Sequence, residues 1–204
     1  MRSMFRFLRN LLLLVLFAGA TAGSYLVFTS SDPFYTVHEW IALGRFSAFD
    51  QIIREQSTRH GVDPALVKAM IWRESAFHPE KVGTSGERGL MQVGEAAAQD
   101  WAKAEKIEGF TPTDLYDAQT NITVGTWYLR RALERWKGKD DPVPFALAEY
   151  NAGASRVDRW VAATGHAERT DAHDLMNAID FPTTRRYVQD ITERRRAYTE
   201  RGGQ

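Results

Sequence analysis

The chain of 204 residues contains no cysteine. That absence removes disulfides, thiolate metal sites, cysteine nucleophiles and lipobox-type acylation together, and leaves stability to the core alone. An excess of one charge sign is also missing, since Lys plus Arg and Asp plus Glu number 26 each. No global basic field therefore argues for nucleic acid as a partner, and no acidic excess argues for a disordered, solvating chain. Histidines are few, and His38, His60, His78, His166 and His173 lack metal-ligand spacing such as His-Glu-x-x-His. They read as ordinary surface or core residues, and no metal or organic cofactor is implied. Alternating apolar runs that would mark hairpins are missing as well, as are internal repeats and low-complexity tracts, so the expected fold class is all-α, or mostly α.

What is present begins with one long apolar run. Arg2, Arg6 and Arg9 precede Leu11 to Phe28, which is apolar apart from small residues, Thr21 and Ser24. This is a basic region followed by a stretch of about 18 residues, enough to span a bilayer and longer than the roughly 7 to 15 of a cleavable signal core. Residues 1–30 read as a signal anchor, with a signal peptide as the alternative because Ala20-Thr21-Ala22 resembles a small-residue cleavage site. The expected location is exported: tethered by the N-terminal segment to the cytoplasmic membrane with the remainder on the periplasmic, outer side, or secreted if the segment is cleaved. Ser30-Ser31-Asp32-Pro33 reads as a break, and residues 31–45 as a connector in which Phe34 to Gly44 forms a link or a small first helix.

The body, residues 46–200, has length for one domain with a sizeable core. Punctuation predicts helices over Phe46 to His60 stopped by Gly61, Pro64 to Glu74, about Glu95 to Glu105, about Ala118 to Lys137, Pro142 to Tyr150, about Ser155 to Ala163, and Thr183 to about Thr199. Aspartate before proline marks two starts, at Asp63-Pro64 and Asp141-Pro142. Phe77 to Gly94 carries Pro79, Gly83, Gly86, Gly89 and Gly94, a density that suits a loop whose backbone approaches something closely. Gly153 to Pro182 is the other mixed stretch.

Val67, Met70, Ile71 and Glu74 are spaced three and four apart and share one helical face. If that face is the core face, Glu74 sits where desolvation raises a carboxyl pKa, and its protonated form can donate a proton as a general acid. The alternative is a residue that frays into solvent or pairs with Arg73 or His78. Met91, Tyr150 and the helix stripe can supply an apolar wall, and amides, hydroxyls and aromatics suit a saccharide groove. Taken one at a time, Gln92 and Asn151 also fit loop or cap positions, Tyr150 a core aromatic, and Met91 plain packing.

Three blocks stand out together: Ile71-Trp72-Arg73-Glu74-Ser75-Ala76-Phe77-His78-Pro79, Gly86-Glu87-Arg88-Gly89-Leu90-Met91-Gln92-Val93, and Ala148-Glu149-Tyr150-Asn151-Ala152-Gly153. In order and spacing they resemble the catalytic domain of the family 1 lytic transglycosylases, in the lysozyme superfamily. Asn121-Ile122, Gly125 and Tyr128-Leu129 resemble the helix that family places between the second and third blocks. The resemblance covers about Phe49 to Arg195 and implies a lysozyme-like single globular domain acting on peptidoglycan glycan strands. It implies Glu74 as the single catalytic acid and then base, and Ser75 as a residue orienting it and the substrate's N-acetyl group. Gln92 corresponds to a glutamine facing the cleft, and Tyr150 and Asn151 to a pair lining it, with Tyr150 near the Glu74 carboxyl. Tyr187 keeps its place in a terminal motif and either lines the cleft or packs in the core. Two departures are visible: Gly94-Glu95 stands where many members have Met-Pro, and Thr184 where glutamate is common.

Glycoside hydrolysis ordinarily uses two carboxylates. The blocks mark one, with Glu87, Glu95 and Glu149 read as solvated. The activity implied is a lytic transglycosylase that cleaves the β-1,4 bond between N-acetylmuramic acid and N-acetylglucosamine, leaving a 1,6-anhydromuramic acid end. A hydrolytic muramidase and a silent glycan-binding scaffold are the alternatives.

Overall fold

A computed structural model describes residues 2–29, 37, 41–42 and 44–202. The chain divides into two units, Met1–Arg45 and Phe46–Gln204. Most of the expected connector, including the break at residues 30–33 and the proposed small helix from Phe34, lies outside the described residues.

The first unit contains α1 (Arg2–Thr29), within which Met4–Tyr25 is 22 residues long and apolar enough to cross a membrane. Its polar Thr21 does not leave a donor free, because the hydroxyl bonds the carbonyls of Phe17 and Ala18, each at 3.0 Å. Such back-bonding satisfies a hydroxyl inside a helix where lipid offers no partner.

The second unit runs α2 (Asp50–His60), α3 (Pro64–Ser75), α4 (Glu95–Ala104), a 3₁₀ turn (Pro112–Tyr116), α5 (Ala118–Arg135), α6 (Val143–Ala152), α7 (Ala154–Ala163), a second 3₁₀ turn (Ala167–Arg169), α8 (Ala172–Ala178) and α9 (Pro182–Gly202). Among the described residues the only β pairing is two isolated bridges, Val82 with Arg88 and Arg88 with Val93. The all-α expectation holds.

Local signals account for the well-placed ends. Gly61 is left-handed at φ 62°, which closes α2, as a residue without Cβ does most cheaply. Asp63 caps α3 by accepting from the Ala65 amide at 2.9 Å, and Asp141 does the same for Val143 at 3.1 Å. Three expectations are corrected. The helix after residue 45 starts at Asp50, because Phe46 is drawn into the core against the Phe77 ring, 5.1 Å away, through a stretch of turns. The mixed stretch beyond Ala163 contains α8, opened by a reciprocal capping box between Asp171 and Asp174. The last helix begins at Pro182 rather than Thr183 and runs on to Gly202.

The stripe on α3 is fully internal, with Val67, Met70 and Ile71 at zero exposure. It is covered by α9, which lies antiparallel to α3 and buries Tyr187, Val188 and Ile191. Two ion pairs fix the register of the pair, Arg73 with Asp190 at 3.0 Å and Asp63 with Arg195 at 2.6 Å. The other side of the unit is organised by α5, which packs on α2 and α6. At Gly125 of α5 the fully buried Met91 side chain comes so close that a Cβ would lie 2.7 Å from its own Cβ. Gly125→Ala should therefore lower unfolding stability by about 1–3 kcal/mol through overpacking, read by thermal or denaturant unfolding; an unchanged midpoint would mean that Met91 can swing aside at no cost.

Candidate active site

α3 ends on Glu74 and Ser75, and the chain then takes two consecutive left-handed residues, Ala76 at φ 49° and Phe77 at φ 63°. Side chains other than glycine rarely adopt this region, and such outliers gather at functional sites. Here the double turn buries Phe77 completely and sends residues 78–94 back past the end of α3.

That returning loop is fastened from α5. Asn121 is buried, its Oδ1 accepts from the Met91 amide, and its Nδ2 donates to the carbonyls of Arg88 and Leu115, each bond 2.8 Å long. Gly89, at φ 77°, lies against this amide so closely that a Cβ would strike Asn121 and the Leu115 carbonyl. At Gly89, then, the need for glycine has a specific cause, the close approach of backbone to Asn121.

The loop, the end of α3 and the end of α6 enclose an open cavity of about 370 Å³. Glu74, Gln92, Tyr150 and Asn151 line it, together with Arg73, Lys81 and Glu87. Tyr187 reaches the carboxyl from behind: it is 2% exposed and its hydroxyl donates to Glu74 Oε1 at 2.6 Å. Lys81 Nζ donates to the main-chain carbonyl of Glu74. Gln92, itself left-handed at φ 48°, commits its amide nitrogen to the carbonyls of Lys81 (3.1 Å) and Gly89 (2.9 Å), which leaves its oxygen as the group facing the cavity.

The electrostatic consequence is a carboxylic acid that titrates near neutral pH. Burial pushes the Glu74 pKa from 4.5 up to about 7, against the pull of the Tyr187 hydrogen bond and of the charges on Arg73 and Lys81, with the Glu87 charge adding to the rise. Tyr150 and Tyr187 are driven well above the ordinary phenol value, by burial first and the neighbouring Glu74 second, so both remain hydroxyl donors. An acid poised near neutrality, with a donor fixed on one oxygen, can both release a proton and carry the resulting charge.

The residues singled out in the sequence do not all face this cavity. Ser75 is buried with its hydroxyl on the Ile71 carbonyl at 3.1 Å, away from the cavity lining. Met91 is also wholly buried; it contributes its main chain, accepting the Tyr150 hydroxyl at 3.0 Å, while its thioether packs under the site against Thr126. The hydroxyl on the Glu74 carboxyl therefore belongs to Tyr187, while Tyr150 lines the cavity and stands edge-on to Tyr128 with ring centres 5.9 Å apart. Tyr187 is at once a core residue and the partner of the Glu74 carboxyl. Asn151 accepts from Thr184 at 2.8 Å, so the departure at Thr184 has a definite role in orienting that amide. At the other departure, Gly94 provides the extended entry to α4 and Glu95 stands in its first turn.

Two carboxylates expected in solvent are elsewhere. Glu87 lines the cavity, and Glu149 is half-buried with Trp136 donating to it at 2.7 Å and Arg135 3.4 Å away. Reading the sequence missed Arg73, Lys81 and Glu87 as lining residues. Glu87 lies between Gly86 and Gly89, both of positive φ, on the loop that returns to the acid. Among the described residues no group of three or more His, Cys, Asp or Glu side chains converges to hold a metal ion.

The sequence profile of the Transglycosylase SLT domain family matches residues 51–172, more than half of the chain. The chain belongs to this family. Among curated relatives, the soluble lytic murein transglycosylase of Escherichia coli K12 is 30% identical over 145 residues, which cover 71% of this chain and 22% of that protein. The membrane-bound lytic murein transglycosylase F of Desulfosudis oleivorans is 34% identical over 153 residues, 72% of this chain and 32% of its own. The chain therefore spans between a fifth and a third of the length of these relatives. Among solved structures, the 70 kDa soluble lytic transglycosylase of Escherichia coli superposes with a TM-score of 0.69 at 29% identity, over 76% of this chain and 25% of that one. The SLT unit here accordingly has the helical, lysozyme-like fold.

A raised carboxyl pKa has a cost in stability. Between pH 4.5 and about 7 the folded protein keeps the Glu74 proton and the unfolded chain does not, so stability falls as pH rises through this window. Glu74→Gln removes that term, and should leave unfolding midpoints near wild type at pH 5 while raising stability at pH 8 by up to about 3 kcal/mol. Tyr187→Phe removes a hydrogen bond to the anion, and should move the Glu74 titration upward; a pH–activity profile checks the direction.

Proposed function

We propose that this protein is a peptidoglycan lytic transglycosylase, cleaving the β-1,4 bond between N-acetylmuramic acid and N-acetylglucosamine and leaving a 1,6-anhydromuramic acid end. The observation that carries this reading is the Glu74 carboxyl, pushed up to about 7 by burial, gripped by Tyr187, and opening onto a cavity lined by Gln92, Tyr150 and Asn151.

The chemistry follows from these groups. Protonated Glu74 gives its proton to the glycosidic oxygen as the bond to C1 breaks. The carboxylate so formed accepts the Tyr187 hydrogen bond, then takes the proton of the muramic acid C6 hydroxyl as that oxygen attacks C1. Holding the nucleophile within the substrate gives the attack the advantage of proximity. Glu74 ends the cycle protonated again. Gln92 presents an acceptor oxygen to sugar hydroxyl and amide donors, and the Tyr150 ring, backed edge-on by Tyr128, offers an apolar face to a pyranose ring. Ser75 and Met91 serve by packing beneath the acid. α1 anchors the chain in the cytoplasmic membrane, and the SLT unit works on the outer side; the length and apolarity of Met4–Tyr25 support the anchor.

The test is mass spectrometry of muropeptides released from purified sacculi. Anhydromuramic ends are expected from wild type, falling by at least about 100-fold in Glu74→Gln. Equal release by the variant would remove the acid assignment, and release of reducing ends alone would reject the transglycosylase reading. The rate should decline as pH rises through about 7, as the acid loses its proton.

A further inference from the structure

The site holds a second carboxylate that the one-acid reaction leaves unused. Glu87 lines the same cavity as Glu74, and its charge is felt by the Glu74 carboxyl. The side chain is held in place: Oε2 accepts the Ser85 amide at 3.1 Å, while the Gly83 amide bonds the Glu87 carbonyl at 2.7 Å. Among the described residues Glu87 forms no ion pair, although Lys81 and Arg73 line the cavity too; Lys81 donates to the Glu74 carbonyl and Arg73 through Nε to Asp190. Gly83 shows where the carboxylate lies. A Cβ there would collide with Glu87 Oε2 and come within 2.9 Å of Gln92 Oε1.

Gln92 has given both amide hydrogens to main-chain carbonyls, and an ionised carboxylate has none. The two side chains therefore make a corner of acceptors only, set beside a general acid in an open cavity. Such a corner demands a donor. A water molecule meets it with two hydrogens, one to each oxygen, and keeps a lone pair for attack, while the carboxylate is a base for the departing proton.

We propose that Glu87 activates water in this cleft and gives the protein a hydrolytic branch beside the anhydro-forming reaction. In that branch a water lone pair forms the bond to C1 and its proton passes to Glu87, while the C1–O4 electron pair leaves on O4 with the proton of Glu74. The products are a reducing muramic end and a free 4-hydroxyl, and the two carboxyls exchange protons with solvent to reset. The pairing of one acid with one base is the arrangement that glycoside hydrolysis ordinarily requires. The inference rests on the proposed action on peptidoglycan and adds a second outcome to it.

Sacculi whose existing reducing ends have been removed with borohydride make the branch visible, because every new reducing end then comes from hydrolysis. Wild type should release both kinds of end, and Glu87→Gln, which keeps an acceptor for the Ser85 amide, should lower the ratio of reducing to anhydro ends by at least about tenfold. If Glu87→Gln yields too little product, Glu87→Asp, which withdraws the carboxylate by one methylene, should lower the same ratio. Wild-type product that is wholly anhydro, or a ratio unchanged in the variants, overturns the inference while leaving the proposed function intact. No release of either end by wild type would instead sink the proposed function.

Discussion

The structure turns on one hydrogen bond, from the Tyr187 hydroxyl to the Glu74 carboxyl at 2.6 Å. The donor stands on the last helix and the acceptor on the second helix of the SLT unit, so the bond exists only if α9 lies on α3 in a single register. The Arg73–Asp190 pair next to it and the Asp63–Arg195 pair further along the same two helices set that register. Each pair is partly exposed and contributes little energy alone; their use is to specify position, while the apolar stripes of the two helices supply the burial. That burial raises the Glu74 pKa, and the Tyr187 bond limits the rise so that the group titrates near neutrality. Removal of water and retention of one donor are opposing effects on the same carboxyl, and the acid role proposed for it depends on their balance.

The opposite wall depends on Asn121. One buried amide makes three hydrogen bonds to loop and turn backbone, which fixes a segment that has no regular secondary structure to hold it. Met91 then fits against Gly125, and its carbonyl holds the Tyr150 hydroxyl. The backbone strain at Ala76, Phe77 and Gln92 lies in this same region. Each such residue costs of the order of 1–3 kcal/mol and persists because its surroundings overdetermine it. The SLT unit thus concentrates its unfavourable terms, strained backbone and a desolvated acid, around the cavity and offsets them in the core beneath.

How much of this could be read from the sequence depends on the range of the interaction. Caps and stops were legible because they act within a few residues: Asp63 before Pro64, Asp141 before Pro142, and Gly61. The α3 stripe was legible for the same reason, and placed Glu74 correctly on a buried face. α8 escaped because seven residues carry too little periodicity, although its capping box was present. The choice between Tyr150 and Tyr187 as the partner of the acid was not legible, since it depends on how α9 is rotated against α3. Nor was the outward view of Glu87 correctable from sequence, because the loop's path is set by Asn121, which lies about thirty residues further along the chain. Ser75 shows the limit of motif matching: its position beside the acid is as expected, yet a helical residue next to Glu74 points about 100° away around the axis, and its hydroxyl turns to Ile71.

Family membership and geometry meet at Glu74, and everything proposed for the protein requires that carboxyl to hold its proton near neutral pH. Direct titration tests this: the side-chain carboxyl carbon of Glu74 followed by NMR from pH 4 to 9 in protein labelled at glutamate Cδ, with Glu74→Gln to assign the signal. A midpoint near 7 is expected for this one resonance. A midpoint at the ordinary value of 4.5 would contradict it.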